Sequence, residues 1–142
     1  MEQPLKKIIC AVDFSAASDA VVHYAASLHG NDVEVMVLYV ANDETSDDGM
    51  LKTHLHEFSR YSDMLSLHNV RARFTVQHGE PAATILNYAT ECHAEMIMLA
   101  SHGNSAISRL LMGSTAESVM RHATCPVVIL KTPDNTNYHG TT

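Results

Sequence analysis

A chain of 142 residues, 46% of them hydrophobic, has room for one domain with its own core and does not depend on disulfides or metal to fold. Its formal net charge of -7, with no cluster of Lys and Arg, argues against nucleic acid as a general partner, and no stretch approaches the roughly 20 apolar residues of a membrane span. Cys10, Cys92 and Cys125 are far apart and odd in number, which speaks against a disulfide framework; with no apolar signal core near Met1, the expected compartment is cytoplasmic.

In chain order, Ile8-Ile-Cys-Ala-Val12 predicts a first strand that ends at Asp13-Phe-Ser15, a turn or cap. From Asp19, the residues Ala20, Val21, Tyr24, Ala25 and Leu28 fall on one face of a helix closed by Gly30-Asn31. Val33 to Val40 is rich in β-branched residues and predicts a second strand. Asn42 to Gly49 is polar and acidic, as in a loop, and Met50 to Leu67 carries Leu51, Leu55, Phe58, Met64 and Leu65 at helical spacing. Val70 to Gln77 alternates, with Val70, Ala72, Phe74 and Val76 on one side and Arg71, Arg73, Thr75 and Gln77 on the other. Such a half-exposed strand suits a sheet edge. His78-Gly-Glu-Pro81 is a turn with proline at a helix start, and Ala82, Ile85, Leu86 and Ala89 mark the helical face behind it. Met96 to Leu99 predicts the fourth strand. Ser114 to His122 predicts a short helix with Val119 and Met120 turned inward. Pro126 to Lys131 predicts the last strand, and Thr132 to Thr142 a loose polar tail.

Strands that alternate with helices imply an α/β domain, a doubly wound five-stranded parallel sheet with helices on both faces. Ligands of such sheets bind beyond the carboxyl ends of the strands, where strand order reverses. Asp13 follows strand one and Ala100 to Gly103 follow strand four, so both loops border one crevice if those strands are neighbours at the reversal.

The segment from Ala100 to Thr115 is the most informative. It runs from a strand through a glycine loop to a helix start, the order in which an α/β protein offers backbone N–H groups to an anion. Gly103 and Gly113 are separated by nine residues, and serve either close approach to phosphate or ordinary turns. Ser114 is either a hydroxyl donor to phosphate or the N-cap of a capping box closed by Glu117. Asp13 is either an acceptor for a ribose or base, or a metal ligand, or a helix cap, with Ser15 as the rival cap. Arg109 either pairs with a phosphate or is simply solvated. Among the histidines only His102, in the glycine loop, has a claim on a ligand; His54 and His56 lie on nearly opposite sides of their helix, and no zinc set is complete. No nucleophile–base pair, Gly-x-Ser-x-Gly elbow or Gly-x-x-x-x-Gly-Lys-Ser/Thr loop is present. Gln77-His78-Gly79 stands where a two-component receiver needs its acceptor aspartate.

Four pieces, in order and at this spacing, resemble the universal stress protein family: Ile8-Ile-Cys-Ala-Val-Asp13-Phe-Ser15, Gly79-Glu-Pro-Ala82, the glycine loop with Gly113-Ser114, and Cys125-Pro-Val-Val-Ile-Leu130. The resemblance implies one domain over residues 1–131 before the tail at 132–142, with strand order 3-2-1-4-5, an adenine nucleotide alpha hydrolase-like sheet. It also implies binding of ATP or a related adenine nucleotide (AMP or a cyclic nucleotide) and a regulatory role in stress adaptation. Slow ATP hydrolysis and a dimeric interaction module without nucleotide are the alternatives. Ala11, Val12, Asp13 and Val40 would border adenine and ribose. Ala100, Ser101, His102, Gly103, Asn104, Gly113, Ser114 and Thr115 would surround the phosphates, with Mg or Mn held through phosphate oxygens and no metal site of protein ligands. The nucleotide-binding branch has Gly-x-x-Gly, nine residues, then Gly-Ser/Thr; the departure here is Ala100, which costs energy if its φ is positive and crowds phosphate if it is not. A homodimer through the last strand (Val127, Val128, Ile129 and Leu130) and an unidentified protein partner complete what the resemblance implies. An all-apolar terminal strand supports the dimer independently, since it would otherwise be a sticky edge.

Overall fold

The computed structural model describes residues 6–28, 33–41, 48–101 and 113–131. Their elements alternate: β1 (Lys6–Val12), α1 (Ala16–Ala26), β2 (Val33–Ala41), α2 (Asp48–Leu67), β3 (Arg71–His78), α3 (Pro81–Cys92), β4 (Met96–Ala100), α4 (Ser114–His122) and β5 (Val127–Leu130). Every strand pairing is parallel, and the sheet runs β3-β2-β1-β4-β5. The expected doubly wound sheet is therefore present, with β3 and β5 at its two edges. Gly30-Asn31, most of the acidic loop and the tail from Thr132 lie outside the described residues.

Both faces are covered, which is why β1 and β2 read as nearly unbroken apolar runs. On one face Ile8, Cys10, Val12, Val35, Val37 and Met98 pack under α1 and α2, through Val21, Val22, Ala25, Phe58, Tyr61 and Leu65. On the other, Ile9, Met36, Leu38, Ile97 and Leu99 meet Ala82, Ile85, Ala89, Ala116 and Val119 of α3 and α4. Burying one such side chain is worth about 1.5–3 kcal/mol, against tenths for most helix propensity differences, so packing decides which helical face turns inward.

Three expected faces need correction. In α1 the buried positions are Ser18, Val21, Val22, Ala25 and Ala26, while Ala20 and Tyr24 are exposed. The face is rotated because a polar residue, Ser18, satisfies its hydroxyl internally and is buried there. In α2 Leu55 is exposed, and the inward line runs through Phe58, Tyr61 and Leu65. The Tyr61 hydroxyl, fully enclosed, donates to Asp19 Oδ1 of α1 at 2.8 Å. In α4 Met120 is exposed and Ala116 joins Val119 inside.

Two helix starts follow local chemistry. α1 begins at Ala16, earlier than the apolar spacing suggests, because Ser15 caps it by accepting from the Ser18 N–H at 3.2 Å. α3 begins with Pro81 as expected, and the Glu80 carboxylate caps it by accepting from the Ala83 N–H at 2.8 Å. The preceding Gly79 has φ +139°, and a Cβ there would stand 2.8 Å from Thr84 Oγ1, so this turn requires glycine.

Candidate functional site at the strand-order reversal

β1 and β4 are the neighbours at which the winding changes direction. Their register pairs Cys10 with Met98, two residues short of both strand ends, so Val12 and Ala100 reach the same level. On the other side of β1, Val12 pairs with Tyr39, one residue before Val40. The topology thus brings Ala11, Val12, Asp13, Val40, Ala100 and Ser101 to one end of the sheet, the position at which α/β sheets take ligands.

The α4 start reaches the same end. Ser101 is buried; its N–H donates to the Leu130 carbonyl at 2.9 Å, and its carbonyl accepts from the Gly113 N–H at 2.7 Å. Gly113, not Ser114, is the N-cap, and as a glycine it offers the helix no side-chain cap. Ser114 is the first helical residue and is exposed, and Thr115 follows half-buried. The expected capping box does not form: Glu117 accepts from Arg121 one turn later at 3.0 Å, which holds its carboxylate on the outer face. Among the described residues, the N-cap of α4 supplies no side chain to its first-turn N–H groups, which carry their share of the helix dipole. His102, Gly103, Asn104 and Arg109 lie outside the described residues.

Asp13 sits in a turn built around it. Its Oδ1 accepts from the Ser15 N–H at 3.1 Å and from the Ser18 hydroxyl at 2.8 Å, while its own N–H donates to Ser18 Oγ at 2.7 Å. The capping role considered for Asp13 belongs to Ser15. The next residue, Phe14, has φ +65°, a left-handed conformation that costs a residue with a Cβ about 1–2 kcal/mol. Its ring supplies the compensation, stacked on Tyr39 at 4.6 Å and edge-on to Phe58 at 5.4 Å. His54, with no assigned role in the sequence reading, lies 4.5 Å from Tyr39 and 5.5 Å from Phe14, centroid to centroid. Burial, and after it the Asp13 charge, pushes the Tyr39 phenol above its usual range, so that carboxylate acts across to β2.

Two features escaped the sequence reading. Ser18 had a signal in the Ser15-x-x-Ser18 spacing at a helix start; the left-handed Phe14 had none, since it depends on rings brought from β2 and α2. Ala100 ends β4 opposite Leu130 and is not among the residues with positive φ, so only crowding, not backbone strain, remains as a cost of its methyl. Among the described residues no three metal-ligating side chains cluster. The site combines a fixed carboxylate with an uncapped helix start, which suits a ligand with hydroxyl or amine donors at one end and an anion at the other.

The profile of the universal stress protein family matches residues 4–131. The chain belongs to the universal stress protein family. A universal stress protein of Methanocaldococcus jannaschii, MJ0531, is 26% identical over 145 residues, covering 93% of this chain and 85% of that one. Among solved structures, the universal stress protein from Archaeoglobus fulgidus in complex with dAMP superposes with a TM-score of 0.71 at 21% identity, covering 89% of this chain and 98% of that one. A universal stress protein family protein from Arabidopsis thaliana with AMP bound gives 0.67 at 17% identity, covering 92% and 94%. At these identities the structural likeness carries the universal stress protein fold and its strand order.

Proposed function

We propose that this protein binds an adenine nucleotide across the carboxyl ends of β1, β2 and β4, and that ATP, AMP or a cyclic relative is the physiological ligand. The observation that carries the reading is the reversal between β1 and β4, which gathers the Asp13 turn and the uncapped start of α4 at one end of the sheet. The donor set fits: Asp13 accepts from ribose or adenine, Ala11, Val12 and Val40 line the apolar side, and Ser114, Thr115 and the first N–H groups of α4 face the phosphates. His102, Gly103 and Asn104 complete the phosphate end, and a divalent cation rides on phosphate oxygens. Relatives crystallised with AMP and with dAMP support the same ligand class.

In this reading the protein is a regulator in stress adaptation. Nucleotide stabilises whichever state of the protein binds it better, and a partner senses that state. Pairing of two copies through Val127, Val128, Ile129 and Leu130 belongs to the same proposal. These residues are half-buried on an edge strand, Val127 and Ile129 toward the α3–α4 face and Val128 and Leu130 toward the other, and among the described residues no strand pairs with the outer flank of β5.

The deciding experiment is to denature the purified protein and identify the released small molecules by mass spectrometry, together with melting curves in the presence of AMP and ATP. A released adenine nucleotide, or a rise in melting temperature of several degrees with saturating nucleotide, is expected. Absence of both defeats the reading.

A further inference from the structure

The hydroxyl of Ser18 does something the helix around it does not need. Ser15 already caps α1, yet Ser18, only 4% exposed, turns its hydroxyl back on Asp13, accepting from the backbone N–H at 2.7 Å and donating to Oδ1 at 2.8 Å. One side chain thereby grips both the peptide and the carboxylate of Asp13. The grip matters because the following residue, Phe14, is in a left-handed conformation that an isolated chain rarely adopts. Rings from β2 and α2 hold the turn on its far side, through Phe14, and Ser18 holds it on the near side.

We propose that Ser18 is a positioning residue of the ligand site, which never touches the ligand but fixes the direction in which the Asp13 carboxylate meets it. This rests on the adenine-nucleotide reading of the crevice. Without Ser18, the Asp13 carboxylate loses the hydroxyl that aims Oδ1 and the Asp13 N–H loses the Ser18 oxygen, while the Ser15 N–H contact stays, so part of the binding free energy is spent on orienting the side chain.

The test is calorimetric titration of the full chain with AMP, for wild type, Ser18→Ala, Asp13→Ala and the double variant, with ligand-free melting temperatures measured alongside. Ser18→Ala is expected to weaken AMP binding about tenfold, the loss of one hydrogen bond to a charged group. The double variant is expected to bind no more weakly than Asp13→Ala alone, because the proposed effect of Ser18 on the ligand runs through that carboxylate. If Ser18→Ala does not fold, Ser18→Cys keeps the same shape with a somewhat larger, much poorer hydrogen-bonding group, and is expected to show the same loss. A purely structural Ser18 would lower the melting temperature and leave the dissociation constant within twofold of wild type, which overturns the role. Losses that multiply in the double variant overturn it too. Wild-type protein that does not bind AMP removes the nucleotide reading along with this one, whereas tight wild-type binding that Ser18→Ala leaves unchanged removes the Ser18 role alone.

Discussion

Ala100 ends a strand in extended backbone, so the family's glycine would bring it no conformational relief. Ala100→Gly is expected to lower the stability of the ligand-free protein by about 0.5–1 kcal/mol through chain entropy, and to leave AMP affinity equal or improved. Thermal melting and titration read the two effects separately, and a clear loss of affinity would defeat the proposed position of the phosphates. Cys10 offers a test of burial. It lies at the centre of the core, and burial pushes its thiol from 9.0 up to about 12. A folded value above the unfolded one means that the native state holds a proton the unfolded chain releases, so this contribution is intact below pH 9 and declines as pH rises toward 12. The slope is about 1.4 kcal/mol per pH unit in that window. Urea unfolding at successive alkaline pH values should show Cys10→Ala less stable at neutral pH, from its cavity, but with a shallower alkaline decline than wild type.

At the level of the elements, the order and type of every strand and helix were legible, because period-two and helical spacings are strong signals over segments this long. The faces of α1, α2 and α4 were less so. Ser18 is polar and buried, and Tyr61 combines a ring that belongs inside with a hydroxyl that Asp19 satisfies, so hydropathy alone places neither. The start of α4 shows the same limit. Ser114-x-x-Glu117 is a capping-box pattern, but the carbonyl of Ser101 fixes the Gly113 N–H and leaves Gly113 as the cap, one residue earlier. In the candidate site, Asp13 and the α4 start could be read from the sequence; the turn that aims Asp13 could not, because its support comes from three separate elements. Gly113 has φ -63°, a value open to any residue, so Gly113→Asp can supply the missing cap. It is expected to raise stability by a few tenths of a kcal/mol and, by placing a negative charge at the proposed phosphate position, to weaken AMP at least about tenfold. Unchanged affinity in a folded Gly113→Asp protein would separate the α4 start from the ligand.

Across the whole molecule, the reversal of winding between β1 and β4 gathers the elements of the proposed ligand site, and the two sheet edges differ in what they would offer another copy. Val128 is half-buried on β5, toward the face that carries α1 and α2. Val128→Glu is expected to convert the proposed dimer to monomer in light scattering at micromolar concentration, since apposed carboxylates would be brought together across a symmetric contact. A monomeric wild type, or a variant that still pairs, would move the interface elsewhere. The far edge is different in kind. β3 presents exposed Arg71 and Arg73, the latter bound to Glu34 of β2 at 3.0 Å. Guanidinium groups on an outermost strand discourage another strand from docking there. In the proposed dimer, a sheet with one greasy border and one border carrying arginines joins a twin once, and the arginines at the opposite rim would oppose lateral polymerisation into fibres.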